Sequence, residues 1–298
     1  MTGLTYGTYV TQIATMAVVP TTDPNFQIII PSMIDYAELR MQRDIDFLNT
    51  STAINFTGTA GTSNLQLTSG YPFVVLENIG VTNPTTGFLE QLTPVTKEYL
   101  YAIYPTGSTQ NVPQYFAPFN DNLVLLGPIP DQAYNYTVVG TQRFPTLGAL
   151  PSIVSASTGG LIVFSSAHGL TTGNSITLSG FSPTTWNNTF VVTVVNPTSI
   201  TVSTTATNAI TIGTAVNNSS TTFISEYLPD VFIMASMIYI SAYQRNFGKL
   251  NDDPQMAITY ESQYQALLKG AMVEEARKKF ESSAWTSQSP TPVATPTR

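Results

Sequence analysis

The chain has one imidazole and no thiol with which to do chemistry. The histidine opens the stretch HGLTTGNSITLSG, His168 to Gly180. An acid–base or nucleophilic role would need a carboxylate or second base to orient the ring. The nearest charged residues in sequence are Arg143 and Glu226, with none between them. A nucleophile elbow needs Gly-x-Ser-x-Gly on a strand-to-helix turn. Gly173-Asn174-Ser175-Ile176-Thr177 lacks the second glycine and runs into a β-type sequence. His168 is therefore expected to close a turn before Gly169, with its ring hydrogen-bonded to backbone. The acidic pairs Asp44/Asp46, Asp252/Asp253 and Glu274/Glu275 fall at caps or exposed helix faces, with no histidine beside them to share a metal. Gly58-Thr-Ala-Gly61-Thr-Ser lacks the lysine and helix of a phosphate-binding loop. Without cysteine there is no disulfide framework, thiolate nucleophile or Cys-zinc site. The expectation is a protein that is not an enzyme, with no catalytic residue, no metal and no cofactor.

The surrounding composition narrows the class. Charged residues are only 10% of 298, and the net charge is −7, which argues against a dedicated nucleic-acid binder. The most apolar window, Val231 to Tyr243, is too short for a bilayer span of about 20 residues and reads as a buried helix. The N-terminus MTGLTYGTYV has neither a basic region nor a signal-like cleavage site. Fourteen of 29 charged residues lie in 1–143, fourteen in 226–281 and one at Arg298. The uncharged interval between them, flanked by Pro145, Gly148 and Pro151 and by Asn217-Asn218-Ser219-Ser220, marks a separate module.

Helical spacing places Tyr6, Val10, Ile13 and Ala17 on one face of a first helix. Asp23-Pro24 starts a second, whose core stripe is Ile30, Ile34, Ala37, Met41, Ile45 and Leu48, with Pro31 expected to kink it or mark its true start. Glu38, Arg40, Arg43, Asp44 and Asp46 are assigned to the opposite face. That row reads either as a solvated face with weak ion pairs or as a subunit contact. Residues 65–81 alternate as β, a short helix follows Pro94, and 112–144 hold strands in which Tyr134, Tyr136, Val138 and Gly140 alternate inward. The interval 151–218 reads as all β, with segments LIVF, SITL, TFVVTVV, SITVST and AITIG between Gly, Asn and Pro turns. Two helices close the chain, one opening at Leu228-Pro229-Asp230 and stopping at Gly248. The other is capped by Asp253-Pro254 and carries the stripe Tyr260, Tyr264, Leu267, Leu268 and Ala271. The tail TSQSPTPVATPTR is Pro-rich and of low complexity, extended until something holds it.

The flanking motifs resemble head-to-tail adaptor (connector) proteins of short-tailed bacteriophages. The resemblance runs through PSMIDYAELRMQRDIDFLN (31–49), LEQLTPVTKEYL (89–100), PQYFAPFNDNLVLLGPIP (113–130) and YNYTVVGTQRFPTL (134–147). It resumes with EYLPDVFIMASMIYISAY (226–243) and DDPQMAITYESQYQALL (252–268). Between them, HGLTTGNSITLSG and TWNNTFVVTVVNPTSITV (185–202) resemble a small β-module of phage virion proteins, with Asn187-Asn188 where Asn-Gly is usual.

The resemblance implies an α+β chain: a helical-bundle adaptor core with a small β-sheet region, plus an inserted all-β sandwich or barrel. Its parts are 1–150, first half of the core; 151–222, the uncharged β-module; 223–283, second half with two helices; and 284–298, a C-terminal arm. It implies a virion protein of the head–tail junction, assembled in the host cytoplasm, that forms a ring of about twelve copies. The ring would join the portal protein to a tail nozzle or other tail proteins, fibres among the candidates. It would let double-stranded DNA pass, and it would contact no membrane. The portal contact is expected at Glu274, Glu275, Arg277, Lys278, Lys279, Phe280 and Trp285, and along the tail to Arg298. If 151–222 is an insertion, its two ends must lie close together. The competing reading is a tail or fibre-type binding protein whose β-module recognises host surface glycans, Trp186 being the candidate stacking residue.

Overall fold

A computed structural model describes residues 3–67, 73–83, 87–105, 110–209, 211–246 and 255–284. The chain is α+β. It divides into two compact units, Met1–Asp46 with Pro145–Arg298, and Phe47–Phe144.

The first unit holds most of the helices. Helix α1 (Tyr6–Met16) is capped by the Thr5 side chain, which accepts from the Thr8 N–H. Helix α2 (Pro24–Asp44) is capped by Asp23, whose carboxylate accepts from Asn25 and Phe26, with Pro24 where its missing N–H costs nothing. Pro31 neither ends nor starts this helix, which continues past it. Ile30, Ile34, Ala37, Met41 and Ile45 are buried as the spacing predicts, whereas Leu48 is exposed. A short helix α4 (Phe223–Tyr227), begun by a Thr222/Ser225 capping box, precedes α5 (Pro229–Asn246). Helix α6 (Gln255–Ala284) buries Tyr264, Leu268 and Ala271. The tie between α1 and α5 is both polar and aromatic. Tyr9 Oη donates to Ser236 Oγ at 2.7 Å, and its ring stacks on Phe232. The cap Asp253-Pro254, the stop at Gly248 and the arm from 285 lie outside the described residues.

The β-module belongs to the same unit. Its strands are β9 (Ile153–Ser157), β10 (Leu161–Phe164), β11 (Ser175–Ser179), β12 (Thr189–Asn196), β13 (Ser199–Val202) and β14 (Thr214–Asn217). They form one antiparallel sheet in the order β14-β11-β12-β13-β10-β9. Its core is its own: Ile162, Phe164, Ile176, Leu178, Trp186, Val192 and Ile200 pack together with no charged group. The described residues of AITIG form no strand. Thr211 makes only an isolated bridge to Ser182, while Ala209 and Ile212 pack against the module core. Strands β9 and β14 take the edge places instead.

The second unit is a β-sandwich. One sheet has the order β1-β8-β3-β4, from β1 (Ser51–Thr57), β3 (Val75–Thr82), β4 (Leu89–Gln91) and β8 (Asn135–Thr141). The other has the order β2-β7-β6-β5, from β2 (Asn64–Gln66), β5 (Thr93–Pro94), β6 (Tyr115–Asn120) and β7 (Leu123–Gly127). The two share one core in which Ile79, Val81, Tyr136 and Val138 meet Leu65, Phe116, Val124 and Leu126. Tyr134, Tyr136, Val138 and Gly140 all face inward as their alternation predicts. Helix α3 (Lys97–Ile103), capped by Thr96, sets Leu100 against Ala117 and Leu125.

Candidate functional site

His168 is held by backbone on both ring nitrogens. The Leu170 N–H donates to Nδ1 at 2.9 Å, and Nε2 lies 3.0 Å from the Asn196 carbonyl. Since Nδ1 accepts, the proton sits on Nε2, which donates to Asn196. The ring is 7% exposed and tilts against Phe164. It is a turn residue, as expected. Trp186 is fully buried, and its indole N–H donates to the Thr207 carbonyl at 2.9 Å. It presents no ring to a sugar. Among the described residues, no three or more His, Asp or Glu side chains gather as metal ligands.

The two ends of the β-module meet. The Asn217 N–H donates to the Gly148 carbonyl at 3.0 Å, and the Gly148 N–H donates to Ser220 Oγ at 2.9 Å. Just beyond, Tyr6 and Gly7 donate to the carbonyls of Ser220 and Asn218, so the start of α1 clamps the returning strand. A cavity of about 480 Å³ opens at this neck, lined by Tyr6, Ile34, Asp35, Leu150 and Val216 among others. Glu38 reaches the neck from α2, where its Oε1 accepts the Leu147 N–H at 3.1 Å. Burial pushes its carboxyl up to about 8, a rise that the Leu147 N–H opposes and nearby Asp35 reinforces. This places Glu38 on the buried side of α2 and not in the exposed row assigned from sequence. The spacing holds the reason. Ile34, Ala37, Glu38 and Met41 follow the i, i+3, i+4, i+7 rule of one face.

Three more of that row, Arg40, Asp44 and Asp46, are engaged within the chain. Arg40 donates to Glu261 of α6 at 2.6 Å and to Tyr36 Oη, stands 3.6 Å from Asp44, and lies 4.4 Å from the centroid of Tyr264. Tyr264 Oη donates to Asp44 at 2.7 Å. Hydrogen bonding to Arg40 lowers the Glu261 carboxyl below its ordinary range. Lys279 pairs with Asp46, and Arg43 is exposed. Toward the end of α6, Glu275 is buried and accepts from Lys278 at 2.6 Å, and Lys278 also stands over the Phe223 ring. Glu274 and Arg277 are exposed. The Phe280 side chain, Trp285 and Arg298 lie outside the described residues. The expected row therefore meets the expected α6 cluster through Lys279–Asp46 alone among the described residues, while Arg40–Glu261 and Tyr264–Asp44 tie it to an earlier part of α6.

The model of a known family, described as SU10 adaptor protein, matches residues 4–158. That is more than half of the chain. The chain belongs to the SU10 adaptor protein family. It is thus an adaptor-type structural protein of a phage virion, and it associates with other virion proteins. No curated protein matches it. The family match covers α1, α2, the β-sandwich and the neck up to β9, so the adaptor's assigned part ends inside the β-module. No helix among the described residues is long and apolar enough to cross a membrane.

Proposed function

We propose that this adaptor forms a ring of about twelve copies joining the portal of a short-tailed phage to its tail. The ring lines the channel through which double-stranded DNA leaves, at the head–tail junction of a virion assembled in the host cytoplasm. It is a mechanical part and not an enzyme. The observation that carries the reading is the family match over 4–158. The net charge of −7 supports it, since an acidic wall repels the DNA phosphates and does not grip them. The C-terminal segment after α6 docks on the portal, with the charged run Glu274 to Lys279 at its base. The β-module is an outward-facing insertion that meets tail or fibre proteins. Support for the insertion is the hydrogen-bonded neck at Gly148 and Asn217, where the chain leaves and returns at one place.

Deleting residues 282–298 tests the docking arm. The truncated chain should fold and lose affinity for isolated portal rings, and unchanged affinity would refute the arm. Electron micrographs of the assembled protein test the ring, which requires an annulus with a central hole.

A further inference from the structure

Helices α1, α5 and α6 leave a groove of about 650 Å³ between them. Its apolar lining includes Met16, Ile233, Met234 and Leu267, and its two charges are the acids Glu226 and Asp230. Both acids are exposed, and neither is in an ion pair among the described residues. The same helix α6 carries the complement on another face. Lys269, Val273 and Arg277 follow one another at four-residue steps, with Met272 beside them. Val273 and Met272 are about half exposed, and Lys269 and Arg277 are exposed without an ion pair among the described residues. At 100° per residue, Val273 lies about 120° round the helix from Leu267, so the basic row cannot fill the groove of its own chain.

We propose that the Lys269–Val273–Arg277 row of one copy seats in the Glu226/Asp230 groove of a second copy. Two unpaired acids then meet two unpaired bases, and Val273 and Met272 cover the apolar floor. Unpaired charge of opposite sign and matched apolar residues within one chain are what favour a second copy as the occupant. The contact is heterologous. A joined pair keeps one free groove and one free row between its two copies, so the association propagates and closes only as a ring. This deepens the ring reading above and rests on it.

Charge reversal tests the contact on the full chain, by sedimentation alone and by assembly on isolated portal rings. E226K/D230K and K269E/R277E should each weaken assembly at least tenfold. An equimolar mixture of the two should restore it, because the reversed groove meets the reversed row. Since the chain has no cysteine, D230C/V273C in one chain should give a ladder of disulfide-linked oligomers, and each single cysteine variant should not. Silent reversals, or losses that mixing does not rescue, overturn the contact. Rings that form normally despite silent reversals overturn the contact and leave the ring reading standing. A parent chain that forms no oligomer in either setting overturns both. Loss on groove reversal alone, with row reversal silent, assigns the groove to a different basic chain and also overturns the proposal.

Discussion

The carboxylate of Glu38, inside α2, accepts the backbone N–H of Leu147 at the neck of the β-module, 109 residues further along the chain. Burial raises its carboxyl from an ordinary value of 4.5 to about 8. Between those values the folded chain keeps a proton that the unfolded chain has released. Stability therefore falls as pH rises through that window, by an amount on the order of a few kcal/mol, and levels off above it. Urea unfolding from about pH 5 to about pH 8 should show this slope. Glu38→Gln keeps an acceptor for Leu147 and removes the ionisation, so it should flatten the slope and be the more stable chain at the alkaline end. Equal slopes in the two chains would refute the assignment.

Arg40 ties α2 to α6 with a fork that lysine cannot reproduce, contacting Glu261, Tyr36 and the Tyr264 face together. Glu261 is more than a third exposed, so solvent screens the pair and its worth is about 1 kcal/mol or less. Arg40→Lys should cost about 1 kcal/mol in urea unfolding, including the lost ring contact. The Glu261 carboxyl is lowered, so its share is present above its ordinary value and lost as pH falls through the folded one. The gap between parent and Arg40→Lys should shrink in acid. A double-mutant cycle with Glu261→Gln that finds no coupling at neutral pH would rule the tie out.

Local chemistry was readable ahead of the structure, and pairing was not. Asp23-Pro24 marks the start of α2, and the alternation from Tyr134 to Gly140 marks β8 and its inward side, because caps and period-two burial act within a few residues. The β-rich run 65–81 conceals a division. Its ends, β2 and β3, go to opposite sheets of the sandwich, which only the distant partners β7 and β8 decide. AITIG resembles a strand because its residues are apolar, yet Ala209 and Ile212 pack, partly buried, against the module core without a ladder. Of the site residues, Glu38 has a charge that points to an exposed face and a spacing with Ile34 and Met41 that belongs to the core, and burial follows the spacing.

His168 gives the buried Leu170 N–H its partner and ties the turn to the Asn196 carbonyl. Removing the ring in His168→Ala strands the buried Leu170 N–H, at a cost of about 1–3 kcal/mol, and releases the Asn196 carbonyl to solvent. The chain has two tryptophans, so a Trp285→Phe background leaves Trp186 in the module core as the sole indole reporter. Its emission in denaturant should show the module unfolding earlier in His168→Ala. An unchanged midpoint would show that the turn holds without the ring.

The neck at Gly148 allows no side chain. The residue has φ +84°, and a Cβ there would stand 2.6 Å from the Tyr6 ring and 2.9 Å from Val216 Cγ1. Gly148→Ala therefore meets two costs: the left-handed backbone, at about 1–2 kcal/mol, and the displacement of either the α1 clamp or strand β14. Gly159 separates them. It has φ +87° with nothing within 4 Å of a Cβ, so Gly159→Ala carries the backbone cost alone. Thermal unfolding should find Gly148→Ala clearly the less stable of the two. Limited proteolysis should then cut it near residues 148 and 217, where the hydrogen bonds that close the module are loosened. Equal losses in the two variants would mean that the neck yields freely, and that α1 does not hold the returning strand in place.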